Sequence, residues 1–118
     1  MSISAAAVGQ DARVSDYVQV MTTTDRREHA DALADELVRG RLAACVQVLG
    51  PIQSTYRWQG DVERADEWLL VAKTTGDRLD AVVGAIGAHH HYDVPEITAT
   101  PIVGGSRAYL DWIRASVT

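Results

Sequence analysis

Apolar and polar positions along the chain follow two periods, and the change from one to the other marks out its elements. From Tyr17 to Thr23, Val18 and Val20 alternate with Gln19 and Met21 in a run rich in β-branched residues, which predicts a first strand. The period then lengthens. Ala30, Leu33, Ala34, Leu37 and Val38 recur at the spacing that lays one apolar stripe along a helix. Thr24 and Asp25 are good N-cap types for it, and Asp25 with Glu28 has the spacing of a capping box. Gly40 stands where a C′ glycine ends a helix, flanked by Arg39 and Arg41 at the negative end of its dipole.

The two-residue period returns in the longest patterned stretch, Leu42 to Thr75. Val46 and Val48 share one face and Cys45, Gln47 and Leu49 the other; Gly50-Pro51 interrupts the run, as at a bulge. Beyond it Ile52, Ser54, Tyr56 and Trp58 take one side and Gln53, Thr55 and Arg57 the other. A tip near Gln59-Gly60-Asp61 predicts a long hairpin, with the acidic segment Glu63 to Glu67 projecting into water before Trp68 re-enters the sheet. Leu69 to Ala72 are apolar on both faces of the returning strand.

Asp77 is a cap candidate for a second helix with the stripe Leu79, Val82, Val83 and Ile86, expected to fray early at Gly84 and Gly87. His89 to Asp93 form a polar connection, and Val94 must be extended ahead of Pro95. Ile97, Ala99, Pro101 and Val103 mark a strand that Pro101 places at a sheet edge or strand end. Ser106 caps a last helix whose buried side is read as Tyr109, Leu110, Trp112 and Ile113. The order predicts an α+β, ferredoxin-like βαββαβ domain with a C-terminal helix over residues 17–118, behind a flexible tail at 1–16. In that plan two helices cover one sheet face and leave the other open. The two-sided apolar run and the overlong hairpin therefore call for a second copy of the chain as cover.

Composition narrows the function. The chain has 118 residues, 47% hydrophobic and 23% charged, so one globular domain is expected. Its net charge of -5 argues against nucleic acid as a partner, because phosphate binding draws on clustered positive charge. The apolar runs fall far short of the roughly 18 residues of a membrane span, and no basic n-region of a signal peptide precedes them. A cytoplasmic location is expected, in keeping with a single cysteine, Cys45.

Three segments carry more than fold: Arg41-Leu-Ala-Ala-Cys-Val-Gln-Val, Tyr56-Arg-Trp-Gln-Gly and Tyr92-Asp-Val-Pro-Glu-Ile, with Trp68-Leu-Leu-Val-Ala-Lys-Thr between the last two. In order and spacing, from about Val18 to Ile113, they closely resemble the CutA family of divalent-cation tolerance proteins. The resemblance implies a compact homotrimer similar to the PII signalling proteins, a role in tolerance to copper or another divalent cation, and metal ions as partners, and it supplies no well-defined catalytic activity. One position departs from it. The family usually has His-Pro-Tyr where this chain has His90-His91-Tyr92, so the family histidine carries over to His90 and His91 takes the proline's place.

Two sets of residues could carry the chemistry. The metal set is Cys45, a soft ligand suited to Cu(I), with His90 and Glu96. Cys45 also reads as a small buried hydrophobe in a strand, and the histidines as a solvated helix end. The ligand-cleft set is Arg57, Lys73, Tyr92 and Glu96, lining an intersubunit cleft for a small anion. A rim salt bridge from Glu96 to Lys73 or Arg57 is the plainer alternative. No nucleophile–base pair, phosphate-cradling loop or zinc spacing occurs in the sequence, so an enzyme is not expected.

Overall fold

The computed structural model describes residues 16–118, so the predicted tail, Asp16 apart, lies outside the described residues. The elements run β1 (Tyr17–Thr24), α1 (Arg27–Arg39), β2 (Cys45–Trp58), β3 (Asp61–Thr75), α2 (Leu79–His89), β4 (Ile97–Pro101) and α3 (Arg107–Val117), with a 3-10 turn at Gly76–Arg78 before α2. The sheet order is β2-β3-β1-β4 and every neighbouring pair is antiparallel. This is the ferredoxin-like α+β plan that the hydrophobic pattern predicts. β4 is an edge strand, which is where Pro101 costs no ladder bond.

Even-numbered residues of β1 and β3 form the core face. Val18, Val20, Leu70 and Ala72 pack with Ala30, Leu33 and Leu37 of α1 and Leu79, Val82 and Ile86 of α2. Each large aliphatic side chain buried there stabilises the fold by about 1.5–3 kcal/mol. The odd-numbered residues face the other way, toward α3. There Lys73 Nζ lies 5.7 Å from the Tyr109 ring centroid and Arg114 Cζ 5.2 Å from that of Tyr17. Ser106 caps α3 as expected, its Oγ accepting from the Tyr109 N–H at 3.2 Å, and the Arg78 guanidinium donates to the Val117 carbonyl at the far end.

The hairpin contains a bulge that sets what each face carries. Leu49 pairs with Leu69 and Ile52 with Glu67, so Gly50 and Pro51 together oppose Trp68 alone. One extra residue reverses the side-chain parity of β2. Cys45, Gln47 and Leu49 before the bulge, and Ile52, Ser54, Tyr56 and Trp58 after it, therefore share the face that looks away from α1 and α2. Trp68 lies so close to Gly50 that a Cβ there would sit 2.6 Å from its ring. The tip is a two-residue turn in which Gln59 and Gly60 have φ of 50 and 87, the type I′ form that matches strand twist.

Several local expectations are corrected. The N-cap of α1 is Arg26 and no side chain caps it; Asp25 instead accepts from His91. Gly40 ends α1 at a φ of -79, and it is Arg41 that takes the left-handed conformation, at 58. Asp77 falls inside the 3-10 turn, and α2 starts after Arg78 without a side-chain cap. α2 does not fray at its glycines: it holds to His89, whose imidazole reaches Glu36 of α1 at 3.0 Å. Glu63 to Glu67 belong to β3 rather than to a loop, because no turn residue interrupts the pairing between Asp61 and Trp68. On α3 the buried residues are Ile113 and Val117, whereas Tyr109 and Trp112 stand 41% and 45% exposed against one another.

Candidate functional site

The outer half of the hairpin, past the bulge, meets the α2–β4 connection in a cleft of about 680 Å³. Parity decides its lining. Ser54, Tyr56 and Trp58 of β2 and Glu63 and Glu67 of β3 arrive on one face, and Tyr92, Asp93 and Glu96 close it from the connection. Its walls are thus three aromatic rings and its polar groups are dominated by carboxylates. Among the described residues, no Lys or Arg lines it.

Glu67 is the deepest of these acids, 8% exposed. The Tyr92 hydroxyl donates to its Oε2 at 2.9 Å, and no described cation stands within ion-pair distance of it. Burial first, and the neighbouring Glu67 next, hold the Tyr92 phenol above its ordinary pKa, so that it stays a proton donor. The Tyr92 hydroxyl is therefore the only described hydrogen-bond partner of the Glu67 carboxylate.

Behind the cleft lies a histidine cluster that ties the α2–β4 connection to the end of β1 and the start of α1. A carbonyl oxygen can only accept, so His90 donates from Nε2 to Thr23 O at 2.6 Å, while its Nδ1 accepts from the Tyr92 N–H at 3.1 Å. His29 donates to His89 O at 2.8 Å and accepts from Thr24 Oγ1 at 2.7 Å by the same logic. His91 donates to Asp25 Oδ1 at 2.7 Å. Burial keeps the His90 pKa below the usual imidazole value, partly offset by the Thr23 bond and assisted by His29 and His91.

The metal set does not converge. Cys45 sits in one row across the sheet with Lys73, Gln19 and Thr100. Thr23, which holds His90, lies four residues further along β1, about 13 Å away at the rise of a strand. Both ring nitrogens of His90 are engaged, and among the described residues no three His, Cys, Asp or Glu side chains group closely enough to hold a metal ion. Of the cleft set, Tyr92 and Glu96 line the cavity, and Arg57 and Lys73 do not. Arg57 alternates with Tyr56 and Trp58 and so lies on the opposite face of β2. Lys73 is on the right face but six residues from Glu67, about 20 Å along β3.

Comparison with known proteins places this architecture. The family model of the CutA1 divalent ion tolerance protein matches residues 18–116. The chain belongs to the CutA1 family. It is 45% identical over 95 residues to the divalent-cation tolerance protein CutA of Thermus thermophilus, covering 80% of this chain and 92% of that protein. It is 41% identical over 99 residues to the chloroplastic protein CutA of Arabidopsis thaliana, covering 84% of this chain and 54% of that one, so it spans about half of this plant relative. Among solved structures, the CutA1 of Thermus thermophilus superposes with a TM-score of 0.84 at 42% identity, covering 86% of this chain and 99% of that chain. The CutA of Synechococcus elongatus complexed with Bis-Tris gives a TM-score of 0.80 at 37% identity, covering 87% and 95%. CutA proteins thus occur outside the cytoplasm as well, and for this chain no helix among the described residues is long and apolar enough to cross a membrane.

Within the CutA frame, Glu63, Glu67, Asp93 and Trp58 are among the cleft residues that sequence reasoning left out of the site. The signal for three of them was the alternation itself: Tyr56 and Trp58 share a parity, and Glu63 and Glu67 share that of Leu69. Pairing across the bulge brings the two sets together.

Proposed function

We propose that this chain is a non-enzymatic, cytoplasmic divalent-cation tolerance protein that works as a homotrimer and meets its cations, copper included, through the acidic cleft. The carrying observation is the cleft lining, in which, among the described residues, Glu63, Glu67, Asp93 and Glu96 stand with no Lys or Arg. Such a low-dielectric concavity of one sign concentrates cations and repels anions. That reading replaces the small anion anticipated for the site, since Arg57 and Lys73 stand apart from it. Assembly is supported by the apolar residues that the single chain leaves exposed: Leu49 at 49%, Trp58 at 50%, Val62 at 58% and Trp112 at 45%.

The test is calorimetric titration of Zn(II) and Cu(II) into the wild type, the double variant Glu63→Gln plus Glu96→Gln, and the double variant Cys45→Ala plus His90→Ala. The acidic pair is expected to account for most of the affinity. Equal binding by wild type and the glutamine variant would overturn the reading, and loss confined to the Cys45 and His90 variant would return the site to those residues. Light scattering at micromolar concentration checks the trimer; a monomer mass would remove it.

A further inference from the structure

We infer that the α2–β4 connection is an acid-released strap: a proton on His90 breaks its hold on Tyr92 and frees the wall that Tyr92, Asp93, Val94 and Glu96 contribute to the cleft. The inference goes beyond the functional reading and holds whatever the cleft accepts.

Three imidazoles crowd together behind the cleft, those of His29, His90 and His91, with ring centroids 4.6 to 5.7 Å apart, and a fourth, His89, faces Glu36 at 3.0 Å. They differ in what a second ring proton would meet. His89 and His91 each sit against a carboxylate, of Glu36 and Asp25, which stabilises a charged ring. His29 accepts from the Thr24 hydroxyl, which can turn and accept instead. His90 accepts at Nδ1 from the Tyr92 main-chain N–H, a donor with no second role, and its Nε2 already donates to Thr23 O. A proton added to His90 therefore stands donor against donor with Tyr92, and the bond that holds the strap is lost.

The surroundings keep that proton off while the strap is closed. Burial, at 9% exposure, disfavours the charged ring most; the Thr23 carbonyl of β1 favours it; His29 of α1 and His91 of the connection disfavour it; and Asp25, ahead of α1, favours it. From α2, His89 turns its ring to Glu36 and gives its carbonyl to His29. Opening returns His90 to water, where its pKa is about 6.5. The opening equilibrium is therefore level above that value and rises by about tenfold for each pH unit below it, down to the folded pKa. The His91–Asp25 pair pulls the other way, but its side chains are 47% and 46% exposed, and such a pair is weak.

The test is amide hydrogen exchange of the full chain, followed by NMR from about pH 8 to about pH 5 in metal-free buffer and expressed as protection factors, so that the intrinsic pH dependence of exchange divides out. Protection of the Tyr92 amide is expected to stay level down to about pH 6.5 and then to fall by about tenfold per pH unit, while Val20 and Ala72 in the sheet keep theirs. His90→Asn places an oxygen where Nδ1 stands and does not titrate. Its Tyr92 amide is expected to be less protected at the top of the range, for want of the Thr23 bond, but level across it. A wild-type Tyr92 amide equally protected at both ends of the range would overturn the proposal. An equal fall in His90→Asn would also overturn it, assigning the release to a carboxylate, and a fall shared by Val20 and Ala72 would overturn it in favour of global unfolding. If His90→Asn does not fold, the nitrogen chemical shifts of the wild-type His90 ring decide: the proton must arrive over the interval in which Tyr92 loses protection, and a charged ring beside a still-protected Tyr92 amide would overturn the proposal.

Discussion

Along the inner half of the hairpin, Cys45 to Leu49 against Leu69 to Lys73, one face lies beneath α1 and α2, and Leu70 and Ala72 are each 1% exposed. Along the outer half, Ile52 to Trp58 against Asp61 to Glu67, the same two strands carry Tyr56, Trp58 and Val62 at 41%, 50% and 58% exposure. The ladder continues through both, so backbone pairing does not distinguish them. Packing does. Residues of the inner half are constrained by volume, whereas those of the outer half are free to be chosen for what they present to a ligand or to another copy of the chain. Glu67 sits at the junction, buried like the inner half and charged like the outer.

The contrast can be broken most directly at Leu70. Leu70→Ala is expected to lower stability by about 2–5 kcal/mol in equilibrium denaturation, as for a fully buried leucine; a loss below about 1 kcal/mol would show that the inner half is not the core. Next comes the joint. Gly50→Ala puts a methyl 2.6 Å from the Trp68 ring and is expected to cost about 1–3 kcal/mol, read from the melting temperature. An unchanged midpoint would mean that the bulge adjusts freely.

A smaller effect depends on pH. The His90 pKa is lower in the folded chain than in the unfolded one, where it is about 6.5, so the unfolded chain binds the proton more readily. The contribution of His90 to stability is complete above that value and is lost as pH falls toward the folded pKa. Melting temperatures measured from about pH 8 down to pH 5 should drop below about 6.5. His90→Gln should flatten that limb while lowering the plateau. A wild-type profile level through this window would contradict the neutral, doubly bonded imidazole. Smallest of all, Arg64→Ala in the outer half should stay within about 0.5 kcal/mol of wild type, since Arg64 is exposed and pairs across the ladder with Thr55.

Most of the fold was legible because two periods are clean in this chain. The alternation of Val18 with Gln19, the stripe from Ala30 to Val38 and the Gly50-Pro51 break each predict a feature that is present. Local capping was less legible. Asp25 and Glu28 have the spacing of a capping box, yet His91, far away in sequence, takes the Asp25 carboxylate. The cleft was half legible for a related reason. Tyr92 and Glu96 were named in it, but the sign of its charge depends on which cations reach it, and that follows from register rather than from composition. Tyr92 and Glu67 are 25 residues apart and meet only because β3 lies beside β1 in the sheet. The exposed Tyr109 and Trp112 were misread because a helical stripe reports apolarity without saying whether the chain's own sheet or another copy receives it.

The bulge at Gly50-Pro51 acts on β2 much as a frameshift acts on a message. Upstream of it the open face takes the odd positions, Cys45, Gln47 and Leu49; downstream it takes the even ones. Removing one residue at that point would turn Gln53, Thr55 and Arg57 toward the open face and hide Ser54, Tyr56 and Trp58. An acidic, aromatic cleft would become one with a guanidinium in its wall, with no side chain altered anywhere else. The charge preference of this surface is therefore written in the count of residues between Leu49 and Ile52 as much as in their identity.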